Sequence, residues 1–303
     1  MEVYACRVAC RTLLSMKNYV LSGLLLFITV VWGWTFSVVK DAVAGYGVVP
    51  FLAIRFAIGT ACLGVLGWRR VNRQSLVAGA WIGMVLALGF LLQTFGLRDT
   101  SVSNSGLITS LFVLFAPLAN WLLFGTPTPR LLWAAVGLSL VGLVLLTGAG
   151  PTPPTRGDWL SLGAAACFGM QIVLVSRFSR NCDTLGLSVA QVASATIVFL
   201  IALPVAEPVS WPSGEVWYAL LLTGVVATAA GFYIQTLAQR QLPAARAAVI
   251  FTLESVFAVF FGYVLAGDRL AGIQIVGALL TIAAVGLGEI GPAVFRQSDQ
   301  YAS

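Results

Sequence analysis

The sequence predicts an all-α integral membrane protein of ten transmembrane helices, arranged as two inverted five-helix repeats around a central cavity. Three observations carry this: too few charges for a water-exposed surface, ten apolar runs with basic residues gathered on alternate loops, and a second half that echoes the first. Of 303 residues, 59% are hydrophobic and 9% charged, against about 25% charged in soluble domains. So few charges cannot cover a surface that faces water, so lipid bilayer must be the main solvent.

A helix needs roughly 20 apolar residues to cross the hydrocarbon core. Apolar runs between charged or Pro/Gly breaks give spans at 19–40, 49–68, 76–97, 102–124, 130–147, 158–178, 186–206, 214–238, 243–266 and 270–290. Pro127 and Pro129 separate the fourth from the fifth, since proline ends a helix. Gly148 to Gly157, rich in Pro and Gly, forms a stiff linker between the halves. The chain therefore divides into a tail (1–18), a first repeat (19–147), the linker (148–157), a second repeat (158–290) and a tail (291–303).

Ten spans place both termini on one side. With that side inside, the inner segments hold twelve basic residues (7, 11, 17, 69, 70, 73, 130, 177, 180, 240, 246 and 296) and the outer ones four (40, 98, 156 and 269). This positive-inside bias predicts cytoplasmic termini in the cell inner membrane. Basic residues so placed orient helices and do not form a nucleic-acid footprint. The N-terminal run is too long and lacks a cleavage site for a secretory signal; Met16, followed by Lys17, would also serve as a start. Five cysteines without a C-x-x-C pair, and no histidine, give poor support for a metal site and exclude histidine-dependent catalysis. No cofactor is expected, and nothing resembles a Walker loop for direct ATP driving.

A shift of 142 residues pairs Gln93-Thr94 with Gln235-Thr236, Arg98 with Arg240, Ile108 with Ile250, Leu111 with Leu253, Phe115-Ala116 with Phe257-Ala258, Leu123 with Leu265 and Gly125 with Gly267, nine identities in all. An odd number of spans per half makes the second repeat enter from the opposite side. Transport folds use such inverted repeats to exchange inward-open and outward-open packings; duplication kept for packing alone is the alternative.

The stretch Phe251 to Leu270 resembles the ninth helix of EamA-type members of the drug/metabolite transporter superfamily, whose pattern is an apolar run, Glu-Pro, Val-Phe-Ala, a small-residue stripe and Gly-Glu-Arg-Leu. Here Ser255 stands at the proline position and Asp268 at the second glutamate. Ile275 to Leu280 fits the tenth helix, Trp32-Gly33 the opening motif, and Phe115-Ala116-Pro117 the first-half counterpart. The resemblance covers about 20–290. It implies spans five and ten at the periphery and eight others around the cavity, and it implies an exporter of amino acids, other metabolites or drugs.

Glu254 lies mid-span, where an ionisable group usually faces a cavity or a partner. It is a candidate for binding a substrate amine or exchanging protons; the other reading is a neutral brace between helices. Arg55 either attracts a carboxylate or snorkels to the outer interface to meet Asp41 or Glu207. Lys40 and Asp41 read as interface residues. The amides Gln93, Gln171 and Gln235 either line a polar pathway or bond helix to helix. Trp34 and Tyr233, close to polar neighbours, are the aromatic candidates for a substrate wall, and Gly79-x-x-x-Gly83 is a helix-contact motif.

The expected function is a secondary transporter exporting small organic metabolites by alternating access, with amino acids, aromatic ones included, first among them. A drug or lipophilic-cation exporter and a non-transporting scaffold are the alternatives. An enzyme is not expected.

Overall fold

The computed structural model describes residues 2–146, 154–206, 208–266 and 271–301, with side chains described for 19–146, 154–206, 208–265 and 271–288. Its helices are α1 (Glu2–Gly45), α2 (Val48–Arg70), α3 (Arg73–Asp99), α4 (Val102–Phe124), α5 (Arg130–Leu146), α6 (Arg156–Phe178), α7 (Thr184–Val205), α8 (Gly214–Gln239), α9 (Ala244–Leu265) and α10 (Gly272–Tyr301). Among the described residues there is no strand. Eight of these helices are long and apolar enough to cross a membrane. The expected fifth and tenth spans coincide with α5 and the first part of α10, apolar among the described residues over Arg130–Leu146 and Gly272–Gly288. Helix α1 begins at Glu2 and α10 runs to Tyr301, so the sequence-read tails continue the terminal helices. Of the linker, 148–153 lie outside the described residues, and α6 already begins at Arg156.

Short polar loops start several helices with side-chain caps. Asn72 accepts from the Ser75 amide at 2.8 Å while the Ser75 hydroxyl accepts from the Asn72 amide at 2.9 Å, a reciprocal capping box opening α3. Thr155 and Asp158 do the same for α6, and Ser101, Asp183 and Ser213 cap α4, α7 and α8. These bonds satisfy amides that have no partner within the helix. Asn72→Ala is expected to lower stability by about 1 kcal/mol, read as a lower melting temperature of the purified protein.

The loops rich in basic residues gather at one end of the bundle. Arg70 lies 3.4 Å from Asp183, and Arg240 donates to Thr184, tying together the α2–α3, α6–α7 and α8–α9 connections. At the other end Lys40 donates to the Thr100 carbonyl at 2.9 Å, Thr100 donates to Asp158, and Tyr46 donates to the Ser210 carbonyl. Between these ends the outward faces carry Val65, Trp81, Leu122, Val144 and Ile201, all exposed. Such a belt suits lipid, where every backbone group is satisfied inside its own helix.

The halves pack through one another. Helix α3 lies against α6 and α7, and the C-terminal part of α4 packs on α6 as that of α9 packs on α1. Helices α5 and α10 pack on each other. Two helices are interrupted in mid-course. Helix α4 breaks after Thr109 and resumes at Phe112; α9 breaks after Phe251 and resumes at Leu253. Ser110 and Thr252, at the two breaks, are related by the shift of 142. Both turns tighten into i→i−3 bonds, Leu111 to Ile108 and Ser255 to Thr252. The α9 break needs no proline: Thr252 donates its hydroxyl to the Val249 carbonyl at 2.6 Å, and Ser255 donates to the Thr252 carbonyl at 2.7 Å. Ser255 thus holds the bend that a proline would otherwise impose.

Candidate functional site

A cavity lies between the halves, its empty space about 690 Å3 with the mouth included. Helix α1 contributes Trp32, Thr35, Phe36 and Val39; α3 contributes Leu86, Phe90, Gln93, Thr94 and Leu97. From α6 come Phe168, Gln171 and Ile172, and from α8 Phe232 and Gln235. Arg55 enters from α2, Phe112 from the α4 break, and Phe251 and Glu254 from the two sides of the α9 break. Among the described residues, α5, α7 and α10 contribute no lining residue. The wall mixes aromatic with polar side chains, and Phe90 stands edge-on to Phe168 at 5.2 Å and, behind the wall, to Phe56 at 5.0 Å.

Arg55 corrects the interface reading. It is 3% exposed and points inward, where its Nε donates to Thr228 Oγ1 at 3.0 Å and its guanidinium lies 4.8 Å from the Phe90 ring centroid. Asp41 stays exposed at the membrane edge, and Glu207 lies outside the described residues. A charged head held by a hydroxyl and an aromatic face has less reason to seek the interface. Glu254 is half-buried, and its carboxylate makes no hydrogen bond among the described residues. The two charges act on each other across the cavity, yet they form no ion pair within 4.0 Å. Gly33 allows this placement: a Cβ there would sit 2.8 Å from the Glu254 carbonyl oxygen and 2.6 Å from the Phe257 Cβ, so α1 reaches the α9 backbone only because residue 33 has none.

Gln171 and Gln235 exchange amide hydrogen bonds, 3.2 Å in one direction and 3.0 Å in the other. Behind them Gln191 donates to Thr236 at 2.9 Å, and Gln239 donates to the Ile172 carbonyl and the Ser176 hydroxyl, each at 2.9 Å. Gln171 and Gln235 thus belong both to the cavity wall and to a buried set of amide hydrogen bonds that extends behind it to Gln191 and Gln239. Gln93, the repeat mate of Gln235, lines the same cavity 3.5 Å from the Thr109 hydroxyl.

The structure therefore brings together Arg55, Gln93, Gln171, Gln235 and Glu254, and leaves out two sequence candidates. Trp34 turns away to pack on Phe261, and Tyr233 packs into a hydrophobic cluster; their neighbours Trp32 and Phe232 take the lining positions. Sequence reasoning also missed Thr228, Gln191 and Gln239. The two glutamines carry the same signal as the others, an amide in an apolar span. Thr228 carried none, because hydroxyls in such spans commonly bond their own helix, as Thr196, Thr223 and Thr236 do here. Its position depends on a π-helical stretch, Leu222–Ala230, within α8. That stretch also offers the Ala227 carbonyl to the Trp32 indole N–H at 2.9 Å. Wide turns of this kind often mark functional sites.

A helical membrane bundle, duplicated, with two broken helices meeting at an internal polar cavity, has the architecture of a secondary transporter. The EamA-like transporter family matches residues 21–148 and again 155–287. The chain belongs to that family, within the drug/metabolite transporter type. An uncharacterized transporter of Archaeoglobus fulgidus is 32% identical over 86% of this chain and 83% of its own length. The uncharacterized inner membrane transporter YedA of Escherichia coli is 24% identical over 91% of this chain and 92% of its own. A crystal structure shares the fold with a TM-score of 0.71, covering 88% of this chain and 96% of the other at 19% identity.

Proposed function

We propose that this transporter exports small organic metabolites, amino acids first among them and aromatic ones included, across the cytoplasmic membrane by alternating access. Ten spans in two inverted repeats, with both termini cytoplasmic, form its working unit. The observation that carries this reading is the cavity between the repeats, bounded by breaks at equivalent positions in α4 and α9 and containing both a guanidinium and a carboxylate. Broken helices at such sites offer free backbone groups to solute, and two similar packings can exchange roles around them. Protons are the candidate coupling ion, with Glu254 as the group that would carry them.

In liposomes containing the purified protein, saturable counterflow of labelled amino acids is expected. Flux that fails to saturate for every member of a full amino-acid panel would remove the amino-acid reading. A lipophilic-cation exporter is the second reading, favoured by Glu254 within an aromatic wall; Arg55 in the same wall weighs against it. Cation resistance conferred in cells and lost in Glu254→Gln would support that alternative.

A further inference from the structure

Arg55 and Glu254 are both incompletely partnered, and the incompleteness has a shape. Of the Arg55 donors, Nε is committed to Thr228, while Nη1 and Nη2 make no hydrogen bond among the described residues. The Glu254 carboxylate likewise accepts none. Both groups line one cavity and do not reach each other within 4.0 Å. A charge removed from water without hydrogen-bond partners is costly, and these two would relieve that cost by pairing directly. The packing instead keeps them apart. Thr228 and the Phe90 face hold the guanidinium, and the α9 break sets Glu254 at the start of a half-helix.

We propose that Arg55 and Glu254 form a two-ended clamp for the α-carboxylate and α-ammonium of an amino-acid substrate, with Thr228 as the positioning residue that turns the guanidinium fork toward the cavity. The proposal rests on the amino-acid reading above and deepens it. A carboxylate takes the two free Nη groups in parallel, the geometry a guanidinium fork matches best. An ammonium group on the same α-carbon answers Glu254. The side chain then faces Phe168, Phe232 and Phe251, an apolar aromatic surface. The clamp excludes solutes by the charge they lack. An amine without a carboxylate leaves Arg55 unanswered, and an acid without an amine leaves Glu254 unanswered.

The test is equilibrium binding to the purified full chain of three ligands with one common ring: L-phenylalanine, phenethylamine, which lacks the carboxylate, and 3-phenylpropionate, which lacks the ammonium. Wild type is expected to bind phenylalanine roughly 10- to 100-fold tighter than either analogue, the value of one charge-assisted contact. Arg55→Gln should bring phenylalanine down to the level of phenethylamine, and Glu254→Gln should bring it down to that of 3-phenylpropionate. Thr228→Val should weaken phenylalanine and spare phenethylamine, with Thr228→Ser restoring the parent order; a merely structural threonine would weaken all ligands alike. Should Arg55→Gln not fold, Arg55→Lys, which keeps the charge but loses the fork, is expected to lose part of the phenylalanine preference. The clamp is overturned if wild type binds all three ligands equally or binds none, or if the order is unchanged in both charge variants. Amino-acid flux with an unchanged ligand order would remove the clamp and leave the transport reading. Clamp-dependent binding without flux would do the reverse.

Discussion

Leucine in place of Gly83 is expected to destabilise the bundle by about 3 kcal/mol, at the upper end of ordinary overpacking. A Cβ at 83 would run into the Gln191 carbonyl oxygen and the Ser194 side chain of α7, and one at Gly79 would meet Ala190. Backbone is the obstacle here, so no rotamer change relieves the clash, and α3 must move away from α7. Contacts of this kind hold membrane helices together, because lipid tails compete fully with apolar side chains and only close backbone approach adds dispersion. Gly137 supplies the control. It is exposed on α5 with nothing within 4 Å of a built Cβ, so Gly137→Leu should be neutral or slightly stabilising through helix propensity. Melting temperatures of the two variants in one detergent would check the contrast; equal shifts would mean that the α3–α7 contact is looser than described.

The repeat shift locates the helix breaks, yet the reason the cavity is asymmetric lies outside it. Phe112 and Glu254 occupy equivalent positions and line the same cavity, one apolar and one charged. Gln93 and Gln235 are also mates, but Gln235 is locked to Gln171 while Gln93 touches only the Thr109 hydroxyl. The π-helical stretch deepens the difference, since α3, the mate of α8, is α-helical throughout. Equivalent breaks in the two halves thus border a cavity whose charged and amide groups are unevenly placed between them.

Much of this was legible in one dimension, and the failures have physical causes. Span lengths, the Pro127 and Pro129 separation and the basic loops depend on local composition, so the helices fell close to where they were read. Glu254 and the three amides stand out in the sequence because polar groups in apolar spans are costly wherever they point, and all four line the cavity. The sequence leaves Arg55 open between cavity and interface because its long stem can reach either way, and what holds it inward, Thr228 and Phe90, comes from other helices. Trp34 and Tyr233 each stand one residue from a lining position, Thr35 and Phe232; at about 100° per residue that step turns a side chain away from the cavity. Helix phase against neighbours is a property of packing, which the sequence does not display.

Gln171→Leu is the second large effect, and its signature is that a further mutation repairs it. Gln171 and Gln235 are each 2% exposed and satisfy one another in both directions. Removing one leaves a donor and an acceptor of the other buried without a partner. That loss amounts to about 2 kcal/mol or more by the usual cost of unsatisfied groups, and somewhat less where membrane helices find substitute partners. In Gln171→Leu/Gln235→Leu only the Gln191 Oε1, which accepts from Gln171 at 3.5 Å, loses a partner, and it loses it in the single variant too, so the double variant is expected to melt above the single one. A double-mutant cycle measures this directly, and additive losses would mean that the two amides act independently. Flux then separates bracing from lining. A pair that served only as a brace would leave transport intact once stability returned. Because both amides face the cavity, flux in the stable double variant is expected to fall at least about tenfold, a difference of roughly 1.4 kcal/mol in solute contact.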